Sequence, residues 1–165
     1  MIAAFSCFIP GDPFGKAVVS GGTFGRFKDA KTVSKMGIAM QYMQAAHTGP
    51  PIEGPTRVTV TCYVRRTGSQ IPKTGPRIRT EQPPEWAYPC PQKPDADNVA
   101  KLIGDCLTQA GVIVDDKAIV SLHVDKWYVA YSTQPEMGPS DVGVAVTVER
   151  INPRLTWAHT LAVAP

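Results

Sequence analysis

The chain has 165 residues, of which 43% are hydrophobic and 19% charged, with a formal net charge of +3. The length and hydrophobic content are typical of one globular domain, and the charged content is somewhat low. The mild basicity permits a polyanionic partner without requiring one. The 14 glycines and 16 prolines follow no period, which excludes a collagen-like repeat, and no apolar run is long enough to span a membrane.

The first half of the chain predicts a strand, a helix and a second strand. Residues 2–9 are predicted to form a strand that stops at the turn cluster of residues 10–13. A helix is expected from about residue 29 to residue 46, with apolar positions at Ala30, Val33, Ile38, Met40 and Met43. Strict alternation over residues 57–65 predicts a half-buried strand with one face made of Val58, Val60, Cys62 and Val64.

The second half begins with a proline-rich segment and then regains a clear period. Residues 66–94 show no pattern and are predicted to be a functional loop or an insertion. The next helix has an apolar face and ends at Gly111, a residue suited to a C-terminal cap; the face consists of Val99, Leu102, Ile103, Cys106, Leu107 and Ala110. Strands are expected at 118–129, where Val120, Leu122 and Val124 share a face, and at 142–148, which alternates valines.

This order of elements predicts an α/β fold with α+β character. We expect one small domain, residues 1–150, in which two main helices pack on a mixed sheet, followed by an apolar tail at 151–165. The four cysteines are widely spaced, without the C-x-x-C spacing of zinc or redox sites. The N-terminus lacks the basic region of a signal peptide. We therefore expect reduced thiols and a cytoplasmic protein.

One acidic motif stands out. Asp95 and Asp97 come at the start of the second predicted helix, and Lys101 follows Asp97 at i+4, on the same face. A single aspartate at this place would be explained by helix capping, but capping does not explain two aspartates and a lysine. Asp115 and Asp116 follow the helix in a turn. Spacing alone does not bring that turn to Asp97, and such a pair is more often a solvated loop.

If these carboxylates converge, their chemistry favours a metal site for phosphate. Hard oxygen ligands suit Mg²⁺ or Mn²⁺, which activate water and polarise a phosphoryl group. A neighbouring lysine would balance negative charge that builds on the phosphate oxygens.

The motif Asp95-x-Asp97-Asn98-x-x-Lys101, followed by a helix, Asp115-Asp116, and a strand with Lys126 and Tyr128, resembles the RusA-type Holliday junction resolvases. The resemblance covers about residues 93–128. It implies a small α/β fold, an intertwined homodimer, and Mg²⁺-dependent cleavage of four-way DNA junctions by an enzyme of bacteria or their phages. It also implies that Asp95, Asp97 and Asp116 bind metal, with Asp115 beside them, and that Lys101 is catalytic.

Several basic residues are candidates for contacts with branched DNA: Lys16, Arg26, Lys28, Arg57, Arg65, Arg66, Arg77, Arg79 and Lys126. The sequence departs from the family where Lys16 is followed by Ala17-Val18-Val19 rather than by a basic stretch. His123 and Asp125 share a strand face and form a candidate general-base pair, although polar surface is the simpler interpretation.

Two other functions fit the same residues. One is a metal-dependent small-molecule phosphohydrolase or sugar-nucleotide transferase with a D-x-D motif, although that motif normally ends an apolar strand. The other is a branched-DNA-binding module that keeps the motif without turnover.

Overall fold

The computed structural model describes residues 3–15, 30–65, 88–129 and 142–151. Within them, two helices and five strands follow the predicted order, with one short strand added. The helices are α1 (Ala30–Ala46) and α2 (Ala96–Gln109). The strands are β1 (Ala3–Pro10), β2 (Thr56–Arg65), β3 (Tyr88–Pro89), β4 (Ile119–Val129) and β5 (Gly143–Arg150).

The strands form one mixed sheet in the order β1-β5-β2-β4-β3. β2 and β4 run parallel, and every other neighbouring pair is antiparallel. Because parallel neighbours need a crossover connection, the chain between β2 and β4 must leave the sheet, and α2 lies in that connection. The mixed sheet with two helices confirms the predicted fold class.

The core lies on one face of the sheet. β2 alternates between buried and half-buried residues, and its buried Val58, Val60 and Cys62 join the helices in one apolar cluster. The valines of β5 complete this face, as the alternation predicted: Val144, Val146 and Val148. Both helices therefore cover the same side of the sheet, and they also contact each other.

Helix α2 behaves as its sequence pattern predicts. Its apolar stripe is almost fully buried, at no more than 2% exposure for Val99, Leu102, Ile103, Cys106 and Leu107, while Ala110 is half-buried. Gly111 has a φ of +75°, a conformation that favours glycine. Its N–H donates to the Thr108 carbonyl, and the N–H of Val112 donates to that of Leu107. This is the Schellman arrangement, so the predicted cap is confirmed.

Helix α1 is present, but some of the apolar residues that were predicted to face the core are exposed to solvent. Val33 and Ile38 are 51% and 45% exposed. Met43 is buried as predicted, and the other buried residues are Thr32, Met36 and Ala39. Apolar residues occur all around this helix, so its sequence sets no clear rotation, and the packing against β1 and α2 decides which face is buried.

The proline-rich segment contains structure that its sequence did not predict. Tyr88–Pro89 pairs with β4, and the N–H of Cys90 donates to the carbonyl of Lys126 at 2.8 Å. A strand of two residues is too short to show a period, which is why the pattern missed it. Residues 66–87 and the tail beyond residue 151 lie outside the described residues.

No disulfide joins Cys7, Cys62, Cys90 and Cys106, all of which lie in the described part of the chain. Burial raises the pKa of the thiols of Cys7 and Cys62 to about 11, so both stay protonated at neutral pH. Neither α1 nor α2 is long and apolar enough to cross a membrane.

Candidate metal and DNA site

The first turn of α2 presents two carboxylates to solvent. Asp95 is the N-cap residue by backbone position, yet its side chain makes no capping hydrogen bond. Its Oδ2 instead accepts a long, 3.5 Å hydrogen bond from the side-chain amide of Asn98. Asp95 and Asp97 are both exposed. Asp95, which stands at the capping position, is thus not used as a side-chain cap.

Asp97 and Lys101 are in contact, as their spacing predicted. The Lys101 ammonium donates to Oδ2 of Asp97 at 3.0 Å, and the two side chains are 62% and 65% exposed. This hydrogen bond, aided by the lysine charge and by nearby backbone N–H groups, holds the pKa of Asp97 below its ordinary value. The carboxylate therefore stays ionised across the neutral range, as a metal ligand must. Because both side chains are exposed, this ion pair stabilises the fold only weakly. Its importance lies in the chemistry that the two groups could perform.

The turn that precedes β4 carries Asp115 and Asp116. Asp115 caps a short 3₁₀ turn, Asp116–Ala118, by accepting from the backbone N–H of Lys117 at 2.9 Å. Its other oxygen accepts from the Lys117 ammonium at 2.9 Å, and both contacts hold the pKa of Asp115 below its ordinary value. The buried Thr56 hydroxyl donates to the Ala118 carbonyl at 3.2 Å. Asp115 is therefore occupied in shaping the turn that presents Asp116.

Asp116 approaches α2 at Gly104. The Cβ of Asp116 lies 3.9 Å from the point that a Cβ on Gly104 would occupy. Asp97, Lys101 and Gly104 follow one another at i, i+4 and i+7, so they form a single stripe along the helix. The structure thus places Lys101 between the Asp97 end of this stripe and the Asp116 turn.

The four carboxylates do not form a closed cluster. Among residues 3–15, 30–65, 88–129 and 142–151, no three His, Cys, Asp or Glu side chains lie close enough together to share one cation. Asp97 lies on the stripe itself and Asp116 approaches it at Gly104, whereas Asp95 contacts Asn98 and Asp115 contacts Lys117. The direct convergence of Asp116 with Asp97 stays a prediction.

Two long-range contacts hold the start of α2, and neither left a signal in the sequence. The Lys126 ammonium donates to the carbonyls of Gln92 and Pro94. From the other side, Gly15 packs directly against Asn98 and Pro94. Gly15 ends the described part of the β1–α1 connection, so that connection reaches the candidate site at this point.

Most of the residues predicted to contact DNA lie outside the described part of the chain. Lys16, Arg26, Lys28, Arg66, Arg77 and Arg79 lie outside the described residues. Arg65 is exposed at the end of β2, and Arg57 lies 3.7 Å from Glu149 in an ion pair across β2 and β5. DNA binding by Arg65 and Lys126 stays a prediction.

The His123–Asp125 pair exists but lies away from the acidic stripe. His123 Nε2 is 3.1 Å from Oδ2 of Asp125. These residues pair with Thr59 and Thr61 of β2, whereas the neighbours of those threonines, Val58 and Val60, face the helices. The pair is therefore on the face of the sheet opposite α1 and α2, which favours the interpretation as polar surface.

The family model of the endodeoxyribonuclease RusA matches residues 10–135 of the chain. The chain belongs to the RusA endodeoxyribonuclease family. The match contains α2, the Asp116 turn and β4, and it covers more than half of the sequence. A comparison with curated proteins found no match. RusA membership implies an endonuclease that resolves Holliday junctions, and it favours this function over the D-x-D phosphohydrolase and over a module without turnover.

Substitution of Gly15 tests the close contact beside the site. In Gly15→Ala the new Cβ would lie 2.8 Å from the Asn98 Cβ and 3.3 Å from its backbone carbon, so the loop or the helix must shift. We expect a loss of about 1–3 kcal/mol in the free energy of unfolding, measured with denaturant.

Gly37→Ala is the matched control, because nothing lies within 4 Å of the added Cβ in α1. It should stabilise the protein by up to about 1 kcal/mol. Equal effects of the two substitutions would contradict the close packing of Gly15 on Asn98.

The lowered pKa of Asp97 gives a second prediction. Titration of its carboxyl carbon by NMR should give a midpoint below the ordinary aspartate value, and Lys101→Met should raise the midpoint toward that value, because the nearby backbone N–H groups remain. The stability from this pair is present at neutral pH and is lost as the pH falls through the lowered pKa. Lys31→Met, a change of the same kind on α1, should leave the midpoint in place. An unchanged midpoint in Lys101→Met would show that the pair does not form in solution.

Proposed function

We propose that this protein is a Mg²⁺-dependent, structure-selective endodeoxyribonuclease that resolves four-way DNA junctions by paired phosphodiester hydrolysis. The single observation that carries the proposal is the stripe of α2, with Asp97 and Lys101 in contact and Asp116 against Gly104. It gives the endonuclease family assignment a specific set of chemical groups on one exposed surface.

The donor set fits a hard divalent cation, Mg²⁺ or Mn²⁺. Asp95 and Asp97 are exposed, and the side chain of Asp95 is not used as a cap. Carboxylate oxygens of this kind are the ligands that Mg²⁺ prefers, and Mg²⁺ commonly needs only one or two of them besides water and phosphate. We propose Asp95, Asp97 and Asp116 as ligands. Asp115 is the weakest candidate of the four, because both of its oxygens already accept hydrogen bonds from Lys117.

The cation would supply Lewis-acid chemistry for phosphodiester hydrolysis. Lys101 has a separate role in this proposal. The side chain of Lys101 is 62% exposed, so its ammonium has room to contact a DNA phosphate while it remains beside Asp97. In that position it would neutralise the negative charge that grows on the phosphate oxygens during cleavage. Asp97 in turn keeps the lysine directed along the stripe.

The cleavage assay uses a labelled four-way junction and a linear duplex of matched sequence, each with Mg²⁺ and with chelator. The junction should be cut preferentially, and only with the metal. Asp97→Asn should slow cleavage by about 100-fold or more, because even loss of an outer-shell partner of a metal ligand costs 10–100-fold.

Asp125→Asn is the matched control, because it makes the same change on the face of the sheet opposite α1 and α2. It should cut at the parental rate. Equal cutting of junction and duplex, or parental activity in Asp97→Asn, would refute the proposed function.

We further propose that the protein acts as a homodimer, because a two-fold axis suits two nicks on opposed strands. β4 supports this. Among the described residues, β3 pairs with β4 at Trp127 and Tyr128, and nearer the start of β4 Val120 and Leu122 are 63% and 46% exposed. Exposed apolar side chains on an incompletely paired strand suit a contact with a second chain.

Sedimentation velocity should show a dimer. Val120→Glu should weaken it by about tenfold or more, because an unpaired charge would be buried in each half of a symmetric contact. Val33→Glu, at an exposed valine of α1, is the control and should leave the dimer intact. A monomer at all concentrations would contradict coordinated paired nicking.

A further inference from the structure

Lys126 has an arrangement unlike that of a surface lysine. It lies on β4, paired with the buried Cys62 of β2, and so faces the helices rather than the open side of the sheet. Its Nζ donates to the carbonyl of Gln92 at 2.5 Å and to that of Pro94 at 2.7 Å. Two of the three ammonium donors are thus used within the protein. Hydrogen bonds from a charged donor are among the stronger ones in proteins.

The backbone of Lys126 holds the same segment. Its carbonyl accepts the N–H of Cys90, which is 5% exposed. One residue of β4 therefore holds residues 90, 92 and 94 at three points, immediately before Asp95. The Lys126 ammonium also acts on the thiol of Cys62. Burial raises the pKa of this thiol, and the positive charge of Lys126 partly offsets that rise.

The start of α2 needs such an anchor. A helix N-terminus is usually fixed by the N-cap side chain, but the side chain of Asp95 makes no capping bond. A carboxylate that caps the helix would be engaged with backbone N–H groups and less available to a cation. When Lys126 anchors the preceding residues, the carboxylate of Asp95 is left exposed while the backbone around it stays in place.

We propose that Lys126 is a positioning residue that fixes the Asp95–Asp97 end of α2 through the carbonyls of Gln92 and Pro94. Its consequence for catalysis rests on the proposed function, but the anchoring itself does not. This role differs from a contact with a DNA phosphate. A phosphate contact acts only in the complex, whereas an anchor acts in the free protein.

Amide hydrogen exchange of the free, metal-free protein separates the two roles. Lys126→Met keeps most of the aliphatic stem and removes the donors. It should speed exchange at the amides of residues 95–99 by about tenfold or more and make the thiol of Cys90 react faster with a labelling reagent. Lys126→Arg, which keeps a charged donor, should restore most of the protection. Lys31→Met, an exposed lysine of α1, should change neither readout.

Junction binding in chelator gives the second comparison. An anchor predicts that Lys126→Met binds with the parental Kd and salt dependence, while its single-turnover cleavage rate with Mg²⁺ falls about 10–100-fold. A phosphate contact predicts a salt slope lower by about one. If amide hydrogen exchange at residues 95–99 is the same in Lys126→Met as in the parent, the positioning role is overturned. A weaker salt dependence of junction binding in that variant would then assign Lys126 to a phosphate contact.

The two proposals fail in different ways. If the parent protein cuts no junction but Lys126→Met still speeds exchange, the proposed function is wrong and the anchor stands. If Lys126→Met does not fold, Lys126→Gln takes its place, because its amide is uncharged and one bond shorter and so cannot bring a charged donor to the carbonyls of Gln92 and Pro94. Parental exchange in Lys126→Gln, with a normal unfolding midpoint, would then overturn the positioning role.

Discussion

One-sided burial of α2 is the constraint on which the rest of the site depends. Its apolar stripe is buried against the sheet and α1, and each fully buried side chain of this kind contributes about 1.5–3 kcal/mol. A rotation of the helix would expose several of them at once, so its rotation is fixed. Asp97 and Lys101 must therefore lie on an exposed side of the helix, and Gly104 one turn further on meets the turn that leads into β4. Burial on one face determines the chemistry available on the other.

The rotation of α2 does not by itself fix the carboxylates, because both of its ends need separate anchors. At the C-terminal end, Gly111 closes the helix, and Thr56 ties the following turn to β2. At the N-terminal end, Lys126 and Gly15 hold Pro94 from two directions. These contacts come from residues far apart in sequence. The site is thus assembled by the sheet and the β1–α1 connection as much as by the motif.

Clear hydrophobic periods made some elements predictable. Strands β2 and β5 and helix α2 each bury one face, and the alternation or helical spacing of their residues shows which face it is. α1 was predictable as a helix but not in its rotation, because Val33 and Ile38 look equivalent to Met36 and Ala39 in the sequence. β3 was not predictable, since two residues show no period and only their pairing with β4 defines them.

The candidate site divides in the same way. The sequence by itself determined the contact of Asp97 with Lys101, because i and i+4 residues of a helix are neighbours in any context, and through its motif it indicated the nuclease family. Only the tertiary structure decided that Asp116 meets α2 at Gly104, that Asp115 shapes its own turn, and that Lys126 anchors the residues before Asp95. The physical reason is range: helix geometry is local and is encoded by spacing, whereas contacts between distant segments depend on how the sheet and its helices pack together.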